Sequence, residues 1–152
     1  MRMSAIDQIQ MLATLFSPIS PSHIHPILVN FTAALVPASI ASDILGRLTK
    51  KDPLHNAAWW MLLYAAAITP FTAVAGLLWK PSVEEMLPKR MLMTNQWLGI
   101  SLATLFIILA LWRWSLYSRR TVPTYAYLGF AILVLAGLMY QGDLGGTMLL
   151  GP

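Results

Sequence analysis

Between Ala57 and Trp79 the chain runs without a single charged side chain. A stretch of that length matches the roughly 20 residues a helix needs to cross the hydrocarbon core of a bilayer. Inside lipid the backbone groups must bond within the segment itself, so the run is read as a membrane-spanning helix. Comparable apolar runs fall at about 26–46, 93–112 and 122–142. With 57% hydrophobic and 11% charged residues, the remaining segments are too short and too sparse to build a water-soluble domain. The expected architecture is therefore all-α: an integral membrane four-helix bundle over 23–152, preceded by a short N-terminal interfacial helix within 1–22.

The N-terminal assignment rests on Ile6, Ile9, Leu12 and Phe16, which fall near one helical face while Asp7, Gln8, Gln10 and Thr14 face elsewhere. One early arginine, Arg2, an interrupting Asp7 and the lack of a long apolar core argue against a cleaved signal peptide. Pro18 and Pro21 make Ser17 to Ser22 a stiff connector. Pro26 suits the first turn of the first span, where its missing N–H costs nothing. Pro37 predicts a kink within that span, and Thr69-Pro70 predicts a bend in the second, with the Thr69 and Thr72 hydroxyls placed to serve freed carbonyls. The four-residue spacing of Ala34, Ala38 and Ser42, flanked by Ala33 and Ala41, marks a smooth face for helix packing. Thr69/Ala73 and Thr72/Gly76 mark another. Gly142-Asp143-Leu144-Gly145-Gly146 is expected to end the last helix.

Charge placement gives an orientation. Arg47, Lys50, Lys51, Arg113, Arg119 and Arg120 flank the first and third connections, against Arg2, Lys80, Lys89 and Arg90 on the other side. The positive-inside rule then places both termini outside. All six tryptophans fall at span ends, as an interfacial belt requires. In this arrangement His23, His25, Asn95, Gln96, Gln141 and Asp143 converge at the outer ends of their helices, and Asn30 and Thr32 carry the polarity inward. Asp43 lies about 27 Å along the helix from His25, near the opposite face, with Arg47 at i+4 as its expected partner.

Several function classes are closed. The absence of cysteine removes disulfides, thiolate metal sites, iron–sulfur ligation and covalent haem attachment. The net charge of +4 comes from scattered residues with no basic face, so nucleic acid is not an expected partner. No internal repeat suggests a transporter, and no Ser/His/Asp spacing supports hydrolysis. The chain is not expected to be an enzyme.

His25-Pro26-x-x-Val29-x-Phe31, followed by small and aliphatic residues as far as Asp43, resembles the opening helix of an uncharacterised family of bacterial four-helix inner-membrane proteins, known only as a domain of unknown function. Members of that family often carry histidine where Asn30 and Asn95 stand here, the latter just before Trp97-Leu98-Gly99. Both histidines are absent from this chain. The family's occurrence in fusion with Rieske or cytochrome domains implies a membrane electron-transfer setting, and its histidine-bearing layout is similar to b-type cytochromes.

Three readings follow. The first is an accessory subunit of a larger respiratory or photosynthetic complex, packed through its small-residue faces and surrounded by lipid and other membrane subunits. The second is a cytochrome with one outer-face haem b held by His25, with Met91, Met93 or Met139 as the second ligand. The third is a copper site built from His23, His25, Met91 and Met93, since imidazole and thioether suit Cu(I). Asp43, Arg47, Asn30, Asn95, Gln141 and Asp143 are expected to be structural polar residues, and no metal site is assigned with a full ligand set.

Overall fold

The computed structural model describes residues 21–83 and 88–150. It is all-helical over that range. Helix α1 spans Pro21–Thr49, α2 Asp52–Val83, α3 Lys89–Ser118 and α4 Tyr125–Leu150. All four are long and apolar enough to cross a membrane. The N-terminal segment expected to lie in the interface falls outside the described residues.

Each helix exceeds the apolar run from which it was inferred. Thirty helical residues rise about 45 Å, against a hydrocarbon core of about 30 Å, so the ends extend past the lipid tails into the headgroup zone. Two expectations are corrected by this continuity. Pro26 lies inside α1, which begins at Pro21, the position where proline is best tolerated. The glycine run near residue 142 does not stop α4, which continues to Leu150. A glycine weakens a helix by about 1 kcal/mol in water, but an apolar surrounding supplies no solvent partners for a broken turn.

The turns between α1 and α2 and between α3 and α4 are built alike. Lys50 and Arg120 both adopt positive φ, 56° and 52°. The next amide in each case donates five residues back, Lys51 to Gly46 at 3.1 Å and Thr121 to Leu116 at 3.0 Å. This is the left-handed helix cap in which terminal carbonyls are satisfied by a chain reversal. Thr124 then opens α4 by accepting the Tyr127 amide at 3.2 Å.

Sequential helices pack side by side and α1 closes on α4, with α1 and α2 the most intimate pair and no close backbone approach across either diagonal among the described residues. The result is an up-down square with a space on its axis. Val36, Leu62, Ala65, Leu102, Phe106, Leu109, Ala131 and their neighbours fill that space over one half of the bundle.

The burial pattern moves the packing face of α1. Thr32, Val36, Ser39, Ile40 and Asp43 are buried, while Ala33, Ala34, Ala38 and Ala41 are exposed and Ser42 is half-buried. Of the alanine face read for helix packing, Ala34, Ala38 and Ala41 therefore point outward. On α2 the expectation holds: Thr69 and Thr72 are buried, with Ala73 and Gly76 half-buried. Their hydroxyls bond the Ala65 and Ile68 carbonyls, at 2.6 and 3.2 Å. These flank the Ala66 carbonyl, whose i+4 amide is the one that Pro70 lacks.

Candidate functional site

The bundle has one knitted end and one hollow end. At the hairpin end, Asp43 of α1 is 1% exposed and accepts from three donors. Arg113 of α3 donates from Nε and Nη2, both at 3.0 Å, and His55 of α2 donates from Nδ1 at 2.9 Å. The same Arg113 guanidinium, also 1% exposed, reaches the His55 carbonyl at 2.9 Å. This corrects the expected Asp43–Arg47 pair. Arg47 instead donates to the Pro123 carbonyl at 2.8 Å and lies 4.0 Å from the centre of the Tyr125 ring, joining α1 to α4. Arg113, counted above as a flanking charge, is a core residue of α3.

Aromatic contacts reinforce this end. Trp59 is buried between Trp114 and Tyr117, with ring centres at 5.5 and 5.3 Å, so it belongs to the core and not to an interfacial belt. Tyr117 also donates to Asn56 Oδ1 at 3.0 Å, and Ser39 donates across α1–α2 to the Ala58 carbonyl at 2.7 Å. Among the described residues no buried side-chain polar atom lacks a hydrogen-bond partner. Three helices are thus locked through a satisfied ionic cluster, the condition under which a buried charge pair is tolerable.

The opposite end, where α1 begins and α4 ends, holds a cavity of about 600 Å³ with residues from all four helices in its walls. Its polar groups include His25 and Asn30 of α1, Lys80 of α2, Asn95 and Gln96 of α3, and Gln141 of α4, with the hydroxyls of Thr32, Thr69 and Thr72. Its apolar groups include Val29, Ala33, Leu77, Phe106 and Leu138. A volume within about 300–1,000 Å³, mostly apolar with a few convergent polar groups, is the general description of a small-molecule site.

Local contacts set the walls. His25 donates from Nδ1 to the Thr72 carbonyl at 3.0 Å, and its Cε1 would lie 2.9 Å from a Cβ at Gly76. Only glycine admits the ring so close to α2. Gln141 lies against Gly99 in the same manner, its Nε2 2.8 Å from where a Cβ would stand. Lys80 donates to Gln96 Oε1 at 3.0 Å, which turns the amide NH₂ of Gln96 away from the ammonium.

The His25–Gly76 contact has a counterpart at the knitted end, where His55 Cε1 would lie 2.9 Å from a Cβ at Gly46. The two antiparallel helices therefore clasp reciprocally, each placing an imidazole on a glycine of the other. A constant offset of 30 residues relates His25 to His55, Ser39 to Thr69, Ser42 to Thr72 and Gly46 to Gly76. The reciprocal contact follows from the antiparallel pairing, and the equal His-to-Gly spacing is its signal in the sequence.

Of the residues expected to cluster, His25, Asn30, Asn95, Gln96 and Gln141 share the cavity with Thr32. Asp143 is exposed outside it, and the side chain of His23 lies outside the described residues. Lys80, read as a flanking charge, and the α4 glycines, read as a helix end, join the site. The three candidate methionines do not line the cavity: Met91 is not in its wall, Met93 faces an adjoining groove that shares Lys80, Leu92 and Gln96 with it, and Met139 is 69% exposed. Among the described residues no three His, Asp or Glu side chains gather as a metal site.

The chain gives no match to any curated protein or to any solved structure. A family model described as "Predicted membrane protein (DUF2231)" matches residues 21–151. That interval takes in all four helices and the cavity they enclose, and the chain belongs to this family of multi-pass membrane proteins of unknown function.

Proposed function

We propose that this protein is a small accessory subunit of a membrane electron-transfer assembly, seated in a bacterial inner membrane with both termini outside. The observation that carries the subunit role is the outward-facing strip of α1. Ala34, Ala38 and Ala41 are exposed and Ser42 partly so, although a helix with no neighbour has no need of small side chains there. In lipid, helices associate through close backbone approach at small residues, because apolar burial gives no advantage over lipid contact. The electron-transfer setting rests on the family resemblance of the first helix. The side assignment rests on the Lys/Arg asymmetry, reduced to five against four once Arg113 is counted as core.

Purification of the native assembly in mild detergent tests the role. Partner subunits should co-migrate with the wild-type chain and be lost from Ala38→Leu, whose exposed position leaves the bundle itself intact. A wild-type chain that migrates alone would overturn the proposal.

A second reading, a b-type cytochrome ligated by His25, is favoured by one specific contact. The Nδ1–H to carbonyl bond fixes the tautomer and ring orientation that metal-bound imidazoles use. The residues fit the group in part: His25 would be one axial ligand and Lys80 would meet a propionate, while among the described residues the cavity wall offers neither a second imidazole nor a methionine. Reduced-minus-oxidised spectra with and without His25→Ala separate this reading from the first. The copper reading has less support, since Met93 and His25 line different spaces.

A further inference from the structure

We infer that the cavity at the terminal end binds the ring of a quinone-class lipid, a planar cyclic dicarbonyl carrying an apolar tail. The inference deepens the electron-transfer reading and rests on it for its setting.

The chemistry of the walls selects the ligand. Among the described residues, every polar side chain lining the cavity is a neutral amide, a hydroxyl or imidazole, or the ammonium of Lys80, and no carboxylate is among them. Lys80 spends one proton on Gln96 Oε1, leaving the Gln96 NH₂ as a donor. Such a set suits a neutral ligand rich in acceptors better than a phosphodiester, which calls for several cations.

The donors also stand on opposed walls. Asn30 lies on α1, and Asn95 and Gln96 lie on α3 across the diagonal that the helices leave open. A carboxylate lipid presents acceptors at one end, whereas a ring with two carbonyls presents them at both and can bridge the space.

Shape gives a third, independent indication. Gly142, Gly145 and Gly146 fall on one face of α4 and all line the cavity. A Cβ at any of them would meet nothing within 4 Å. Packing within the protein therefore does not require glycine there. The bare backbone forms a flat wall against which a ring can lie in van der Waals contact. Below it, Leu102 and Phe106 continue the cavity as apolar surface for the start of a tail.

The test uses the full chain in phosphatidylcholine nanodiscs, titrated calorimetrically with decyl-ubiquinone. Wild type should bind saturably at one site, and infrared difference spectra should show the quinone carbonyl stretch shifted down by hydrogen bonding. Gly145→Leu, which enters open space and leaves the fold intact by circular dichroism, should raise Kd at least tenfold. Asn95→Leu and Gln141→Leu should each do the same and move the carbonyl band back, while Met139→Leu on the exposed face should change neither.

The inference is overturned by non-saturable partitioning, by equal affinity in Gly145→Leu, or by equal displacement with decanoic acid. Uptake of haemin with a His25-dependent absorption band and no quinone binding would also overturn it. Quinone binding by a chain that migrates alone would sink the subunit proposal and leave this one standing. Co-migration without quinone binding would do the reverse.

Discussion

At the scale of single residues, the environment of Asp43 reverses an expectation drawn from spacing. A wet i,i+4 pair with Arg47 contributes about 0.3–0.5 kcal/mol, and its loss would be almost silent. Buried beneath Arg113 and His55, the carboxylate balances a guanidinium that has no water to turn to. We expect Asp43→Asn to cost about 3–5 kcal/mol, the usual penalty for leaving one member of a buried pair uncompensated. Unfolding in detergent measures it, and a loss below about 0.5 kcal/mol would restore the surface reading. The double change Asp43→Leu with Arg113→Met should recover most of the loss, because removing both charges removes the desolvation penalty with the attraction. The glycines under His55 and Gln141 give a paired comparison. At Gly46 a Cβ would push a ring anchored through Asp43, whereas at Gly99 it would push the free end of Gln141. Gly46→Ala should therefore destabilise by about 1–3 kcal/mol, the cost of overpacking, and Gly99→Ala by less than about 1 kcal/mol. Equal effects in thermal melts would mean that the His55 ring is not held as the geometry implies.

At the scale of elements, the hairpin turns carry a local cost that can be relieved. Lys50 and Arg120 hold a left-handed conformation that disfavours a side chain by about 1 kcal/mol or more, and glycine adopts it freely. Lys50→Gly and Arg120→Gly should each stabilise the bundle by roughly 0.5–1 kcal/mol, after allowance for glycine's greater freedom when unfolded. A melting temperature that falls in both variants would indicate that the cationic side chains do more for these turns than the backbone strain costs. The helices themselves were legible as elements, since each was marked by an apolar run. Their faces were not. On α1 the small residues and the buried residues form different stripes, and the structure turns Thr32, Val36, Ser39 and Asp43 inward.

For the whole molecule, the contrast between the two ends sets where change is tolerated. The hairpin end is tied through Asp43, Arg113, His55, Arg47 and Tyr117, while the terminal end is hollow and lined by amides. The orientation of these ends in the membrane is open to direct measurement. Cysteines placed singly at the exposed positions Lys89 and Ser118 should differ toward an impermeant thiol reagent on intact cells, with position 89 labelled and position 118 protected. The opposite pattern would put the cavity on the inner side.

The sequence by itself determined that four helices span a membrane, because hydropathy is summed locally along each run. It also determined that His25, Asn30, Asn95, Gln96 and Gln141 would meet at one end, because antiparallel spans of equal length bring their ends into register. It could not say which side of each helix faces inward. Core and lipid are both apolar, so a membrane helix carries little of the polar-apolar asymmetry that reveals orientation in a soluble protein. Asp43 had an obvious partner four residues away and took one 70 residues away instead. Only tertiary packing could decide that, because the arrangement of all four helices determines which cation is within reach of a buried carboxylate and where the axis is left hollow.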